Sequence, residues 1–177
     1  MDSYNRRNKY DSRDCLERGD QAEDPFLKLA SSKGYSHKKS SQDEDINEHW
    51  DYLIEKDGKS WKVEVKAMKR IQRTDSDVQD EWIWIELHGV RPYDAGWLYG
   101  SKADVIAFEM KDSFIIVKRD DLIELVERVV NFNSRVDSAM EARYKIYQRP
   151  GRPDKITLIE SKHLKTIQNT EWKKINA

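Results

Sequence analysis

Asp51, Glu64 and Lys66 have the types and spacing to do chemistry; all three lie within 48–66, EHWDYLIEKDGKSWKVEVK. Asp57-Gly58 in its middle marks a two-residue turn, because a type I′ hairpin needs φ > 0 at both central positions. With that pair as the loop, Lys56 faces Lys59, Tyr52 faces Val63, Trp50 faces Val65, and Asp51 falls opposite Glu64. Alternation then puts Trp50, Tyr52, Ile54, Trp61, Val63 and Val65 on one apolar face, with Asp51, Leu53, Lys62, Glu64 and Lys66 on the other.

Two carboxylates so opposed, about 5 Å apart at an effective dielectric near 20, repel by roughly 3 kcal/mol. Lys66 offsets part of that, and a divalent cation held between the acids would offset the rest. A small set of oxygen ligands suits Mg²⁺ or Mn²⁺. The bland alternative is a solvated charged strand face. Glu-x-Lys occurs four times in the chain, at Glu64, Glu109, Glu160 and Glu171, and pairing tells them apart. Glu109 faces Phe114 if Lys111-Asp112 forms a turn. Glu160 ends a strand whose expected partner, YKIYQR, has no acid, and Glu171 lies in the C-terminal tail. Only Glu64 gains a carboxylate neighbour.

The elements that must hold these groups follow from periodicity. From Gly19 the chain reads as a helix ended by Gly34, with two competing starts: Asp20 capping with Glu23, or Asp24 capping with Pro25 at the first helical position. Glu23, Phe26, Leu27 and Ala30 share a stripe, so an acid points along an apolar edge; capping alone would also explain Glu23. EWIWIELHG alternates as a strand expected to continue the sheet, which would bring Glu86 to the acid face as an accessory ligand or a partner for Lys66. Residues 36–48 and 73–80 read as loops. Two apolar strands follow, 104–110 and 113–119, then a helix capped by Asp120 or Asp121 with Leu122, Leu125, Val126 and Val129 in its stripe. ARYKIYQR and DKITLIES read as a last strand pair around a PGRPD loop. The sum is an α/β or α+β domain around one mixed sheet flanked by helices.

At 177 residues the chain fits one domain. Residues 1–18 read as a loose arm or frayed helix, 19–177 as the domain, and 143–177 as a basic C-terminal extension. That extension has nine Lys/Arg against three Asp/Glu, so a net charge of −1 leaves the first 142 residues at −7. Positive stretches beside an acidic pocket suit a polyanion that must reach a metal. Lys69, Arg70 and Arg73 in KAMKRIQR, and Arg91, Tyr99 and Lys102 further on, are candidate phosphate contacts; Trp84 is a candidate base-stacking surface. One cysteine, Cys15, excludes an internal disulfide and fits a reducing compartment. No apolar run approaches a membrane span and no apolar leader core follows Met1, so an intracellular, non-secreted protein is expected.

A helix bearing Glu23, then Asp51 on one strand, then Glu64-Val65-Lys66 on the next resembles the PD-(D/E)XK nuclease superfamily, over roughly residues 19–130. Asp51 follows Trp50 where the motif has a proline, which many members also lack. The resemblance implies a restriction-endonuclease-like αβββαβ core. It implies Asp51 and Glu64 as metal-binding acids, the Val65 carbonyl as a further ligand, Lys66 as the catalytic lysine and Glu23 as the helix acid. It further implies Mg²⁺- or Mn²⁺-dependent hydrolysis of a phosphodiester in nucleic acid, DNA before RNA, and a possible homodimer. The rival is an inactive module that keeps the fold and binds nucleic acid or protein.

Overall fold

The hairpin turn forms as its residues require: Asp57 and Gly58 sit at φ 53° and 74°. The computed structural model describes residues 9–175. In chain order the elements are α1 (Lys9–Ser32), β1 (Ser36–Lys39), α2 (Gln42–Glu48), β2 (Tyr52–Lys56), β3 (Lys59–Lys66) and β4 (Trp82–His88). Then come α3 (Gly96–Gly100), β5 (Val105–Glu109), β6 (Ser113–Lys118), α4 (Arg119–Val129), β7 (Asn131–Val136), β8 (Lys145–Tyr147), β9 (Lys155–Glu160) and β10 (Asn169–Lys173). No helix among the described residues is long and apolar enough to cross a membrane.

The fold is mixed α+β, as expected, but its strands divide into two sheets. One has six strands in the order β1-β2-β3-β5-β6-β10, the other four in the order β4-β9-β8-β7. β2 and β3 pair antiparallel in the anticipated register, from Tyr52–Val63 to Lys56–Lys59. β3 then runs parallel to β5. The α-β-β-β-α-β order is met by α1, β1, β2, β3, α3 and β5, with α2 and β4 interposed.

Two expectations about the sheet fail for identifiable reasons. β4 does not continue the hairpin's sheet. Ile83, Ile85 and Leu87 enter the core between the sheets, while on the other face Trp82 packs with Ala142 and Leu158. Pairing with β9 puts β4 in the second sheet, whose apolar face then closes on the first. The basic 143–177 stretch is no appendage either. It contributes β8 and β9 to the second sheet and β10 to the edge of the first, where Glu171 lies opposite Ile115. The Glu160 partner is Trp82 of β4 and not YKIYQR, although Tyr147 does pair with Ile156.

The segment read as a loop before the hairpin contains β1 and α2. Ser41 caps α2 and Glu44 closes the box, its carboxylate accepting the Ser41 N–H at 2.9 Å. β1 was invisible to periodicity because all four residues are exposed; only its backbone pairing with β2 defines it.

α1 starts at neither expected cap. It reaches back to Lys9, into the segment read as an arm, of which residues 1–8 lie outside the described residues. Pro25 falls inside the helix, where it forgoes one backbone bond. Burial offsets that loss: Ala22, Phe26, Leu29 and Ala30 are covered by Tyr52, Ile54, Val63, Val65, Phe114 and Trp172. The helix ends where foreseen. Gly34 at φ 83° lets its N–H reach the Ser31 carbonyl and the Tyr35 N–H reach that of Ala30. α4 begins at Arg119, with Asp120 and Asp121 inside its first turn and no side-chain cap.

The six-stranded sheet is therefore covered by α1 on one face and by α3, α4 and the second sheet on the other. Phe26 joins α1 to the C-terminal strand: its ring stacks on Trp172 at 5.6 Å and meets Phe114 edge-on at 5.5 Å. Phe26→Ala is expected to cost about 3–5 kcal/mol, read as a fall in the urea midpoint with unchanged slope.

Candidate active site

The chain leaves α2 through His49, whose φ of 50° turns it sharply into β2. That turn moves Trp50 off the expected face. Its ring enters the core between the sheets, opposite to Tyr52, while its indole N–H donates to Glu48 at 2.9 Å. The ladder accordingly ends at Tyr52–Val63, and Asp51 does not sit squarely opposite Glu64. Its N–H donates to the Val63 carbonyl at 2.8 Å, one residue out of register. Its carboxylate reaches across the hairpin instead, and Oδ2 accepts the Val65 N–H at 2.6 Å. A side-chain oxygen thus holds Asp51 against the Glu64-Val65-Lys66 strand.

Along β3, Val63 and Val65 face α1, so Glu64 and Lys66 face the space between the sheets. The Glu64 side chain is only 7% exposed and that of Lys66 22%. Their ammonium and carboxylate form a direct ion pair through Glu64 Oε1. The ammonium also lies 4.8 Å from the ring centre of Trp97, a cation–π contact that favours the charge where water is scarce. Glu64 Oε2 is buried with no hydrogen-bond partner. A buried carboxylate oxygen without a partner costs free energy, and its donor set suits a hard cation.

Titration follows this arrangement. Burial, then the Glu64 charge, pushes the Asp51 carboxyl up to about 8, against a smaller pull from Lys66 and the Val65 N–H. Burial likewise raises Glu64, against Lys66. For Lys66, burial opposes the ammonium, but the Glu64 and Asp51 carboxylates outweigh it and the net shift is upward.

The remaining expected residues divide. Glu23 lies beside the site without joining the pair: it accepts the Tyr52 hydroxyl at 2.6 Å and meets Lys39 at 3.5 Å. Glu86 accepts the Trp97 N–H at 3.2 Å, and its charge acts on Lys66, so it reaches the site from the second sheet. Among the described residues no group of three or more His, Cys, Asp or Glu side chains is arranged to hold a metal ion. Trp84 is no open stacking surface; it donates to the Arg70 carbonyl at 3.0 Å and packs near Tyr147. Lys102 donates to Glu48 at 2.8 Å, and Tyr99 to Glu127 at 3.2 Å. Arg91 donates to the Ile46 carbonyl at 3.0 Å yet stays half exposed. Lys69 pairs by a single bridge with Gln79, near Arg70 and Arg73 on the strand's continuation.

His49 and Trp97 were not singled out in the sequence. The His49 ring lies 3.2 Å from Asp94. His49 had one sequence signal, its place across the hairpin from Lys66. Trp97 had none, since GWLYG is too short for periodicity. One groove, of about 710 Å³, is lined by Arg135, Arg149 and Arg152 and by neither Asp51 nor Glu64. Another, of about 420 Å³, includes His49.

No family model matches this chain, and no curated protein matches it. A solved structure of a bacterial homing endonuclease superimposes with a TM-score of 0.47 at 17% identity, covering 62% of this chain and 72% of that one. At that level of likeness the chemistry is read from the chain's own side chains.

The raised Asp51 carboxyl carries a stability consequence. Its folded value of about 8 lies above the ordinary carboxylate value near 4. The folded chain then keeps a proton the unfolded chain has lost, so this group's contribution falls as pH rises from about 4 to about 8. Asp51→Asn keeps an acceptor for the Val65 N–H and removes the charge. In EDTA its melting temperature is expected to match wild type near pH 4.5 and exceed it by several degrees at pH 8.5; equal melting at both pH values would contradict this.

Proposed function

We propose that this chain is a metal-dependent nuclease, with Asp51 and Glu64 as the acids that hold Mg²⁺ or Mn²⁺ and Lys66 as the catalytic lysine. The observation that carries the reading is Glu64 Oε2, buried and unpartnered beside a second, electrostatically coupled carboxylate. Resemblance to the PD-(D/E)XK nucleases in the order helix, Asp51, Glu64-Val65-Lys66 points the same way, and DNA is the favoured polymer.

The chemistry such an ion supplies is polarisation of a phosphate and acidification of a water. The rest belongs to the chain. Val65 fixes Asp51 through its N–H, and its carbonyl is the proposed further ligand. Lys66, steadied over Trp97, neutralises Glu64 in the resting protein. With substrate present it orients the attacking water and stabilises charge on the phosphorus oxygens. Glu23, braced by Tyr52, adds negative potential at Asp51, and Glu86 does so at Lys66. Lys69, Arg70, Arg73 and the arginine-lined groove supply backbone affinity that carries no sequence information.

Two experiments test this. Labelled single-stranded, duplex and branched DNA and RNA are incubated with Mg²⁺, Mn²⁺ or EDTA. Cleavage is expected only with the metals, and Asp51→Ala, Glu64→Ala and Lys66→Ala should each lower it by roughly 10²–10⁴-fold with circular dichroism unchanged. A folded variant cutting at the wild-type rate would sink the assignment. Calorimetry with Mn²⁺ is the second. Because binding must displace the Asp51 proton, affinity should climb up to about tenfold per pH unit between 6 and 8, then flatten. An affinity flat across that range would remove Asp51 from the ligands.

A further inference from the structure

The 89–96 loop is built tightly and ends beside the acids. The Gly89 N–H bonds the Asp94 carbonyl at 2.9 Å, and the Gly96 N–H bonds the Asp94 carboxylate at 2.9 Å. A Cβ at Gly89 would lie 2.3 Å from the Asp94 carboxylate, and one at Gly96 2.8 Å from the His88 nitrogen, so both glycines are needed for the approach. Arg91 and Asp94 pin the loop to the α2 end of the chain, through the Ile46 carbonyl and the His49 ring. A loop held this firmly nevertheless leaves Tyr93 fully exposed, with no packing role.

Between this loop and α2 runs the groove of about 420 Å³, bordered by Asn47, His49, Arg91, Tyr93 and Asp94. Ala95 and Gly100, on either side of Trp97 in the α3 segment, also line it, and Lys66 lies over the Trp97 ring, which joins the groove to the acid face. Its lining is polar apart from Tyr93, Ala95 and Gly100, so Tyr93 is the exposed aromatic ring at the groove. The charges are as telling. Asp94 is engaged by Gly96 and His49, with Arg91 3.6 Å away, and its carboxyl is held below the usual range: burial opposes this, and those partners outweigh it. Arg91 pairs with Asp94 but stays half exposed, so its outer side is the cation that a ligand meets, while α2 opens with Asp43, Glu44 and Asp45. One cation and one aromatic ring beside an acidic helix suit one strand's phosphate and base, and repel a second backbone.

Resting on the nuclease reading, we propose that this groove is a nucleotide subsite. It takes an unpaired base against Tyr93 and the adjoining phosphate against Arg91, so that the strand cut at Asp51 and Glu64 is single-stranded or splayed there. Stacking on an exposed tyrosine tolerates any base and strengthens binding only when the base is free to leave its helix.

The test measures binding apart from cutting. Fluorescein-labelled 12-nucleotide single strands and the matching blunt duplex are titrated in EDTA against wild type, Tyr93→Ala and Tyr93→Phe, with anisotropy as readout. Tyr93→Ala should weaken single-strand binding roughly ten- to a hundredfold, leave duplex binding unchanged, and be rescued by Tyr93→Phe. Equal single-strand affinity in all three proteins, or loss without rescue by phenylalanine, overturns the subsite. Cleavage with Mg²⁺ in parallel separates the two claims. Ring-dependent binding without cleavage keeps the subsite and removes the nuclease; cleavage without ring-dependent binding does the reverse.

Discussion

Glu64 is a carboxylate that can be neither hydrated nor fully paired, and much of the structure is arranged around it. Its place follows from alternation: Val63 and Val65 must face α1 to close the core under Phe26, so Glu64 and Lys66 must point the other way. That way would be open water if the domain were one sheet and one helix. Here the second sheet and α3 close over it, so β3 carries an acid and a lysine into a largely dry space. Lys66 takes one oxygen, and Trp97 supports the ammonium. Burying an ion pair rarely stabilises a fold by itself, so the arrangement makes more sense as a site than as a brace.

The cores carry the cost. Phe26, Phe114 and Trp172 clamp α1 to the first sheet, and Phe108, Leu122 and Leu125 fill the space between the sheets, all buried. Against that background the local irregularities collect at the mouth of the hairpin: His49 in the left-handed region, Asp51 out of register, and a carboxylate standing where a strand would offer a carbonyl. Such features persist where the surroundings over-determine them.

The hairpin was legible because its information is local. Asp57-Gly58 sets the turn, and alternation sets the register as far as Tyr52–Val63. The pairing failed one residue further, at Asp51, because the geometry there is dictated by the exit from α2, and nothing in a period-two pattern reports a left-handed histidine. β4 was placed in the wrong sheet for a related reason. Its alternation is real, but alternation does not say which sheet a strand joins; of the two tryptophans on its second face, Trp82 is buried and Trp84 half-buried. β1 and β10 carry too little apolar pattern to be seen at all; β10 has only Trp172 buried. Glu23 was legible as an acid on an apolar edge, but its engagement with Tyr52 depends on where α1 crosses β2, which no helical stripe encodes.

Charge distribution orders the events that the proposed chemistry would need. The first 142 residues carry a net −7, and Glu23 and Glu86 add negative potential at Asp51 and Lys66, so a bare polyanion approaching the site is repelled. Two things would reverse that sign locally: the proposed divalent cation, held by Asp51 and Glu64, and the basic stretches set apart from them. The arginine-lined groove lies on the second sheet, lined by neither Asp51 nor Glu64, where it attracts a phosphate backbone without competing for Lys66. Separating attraction from chemistry leaves Lys66 as the cation paired with Glu64. On the proposed reading, a divalent cation held by Asp51 and Glu64 would give the site a potential that a scissile phosphate can enter.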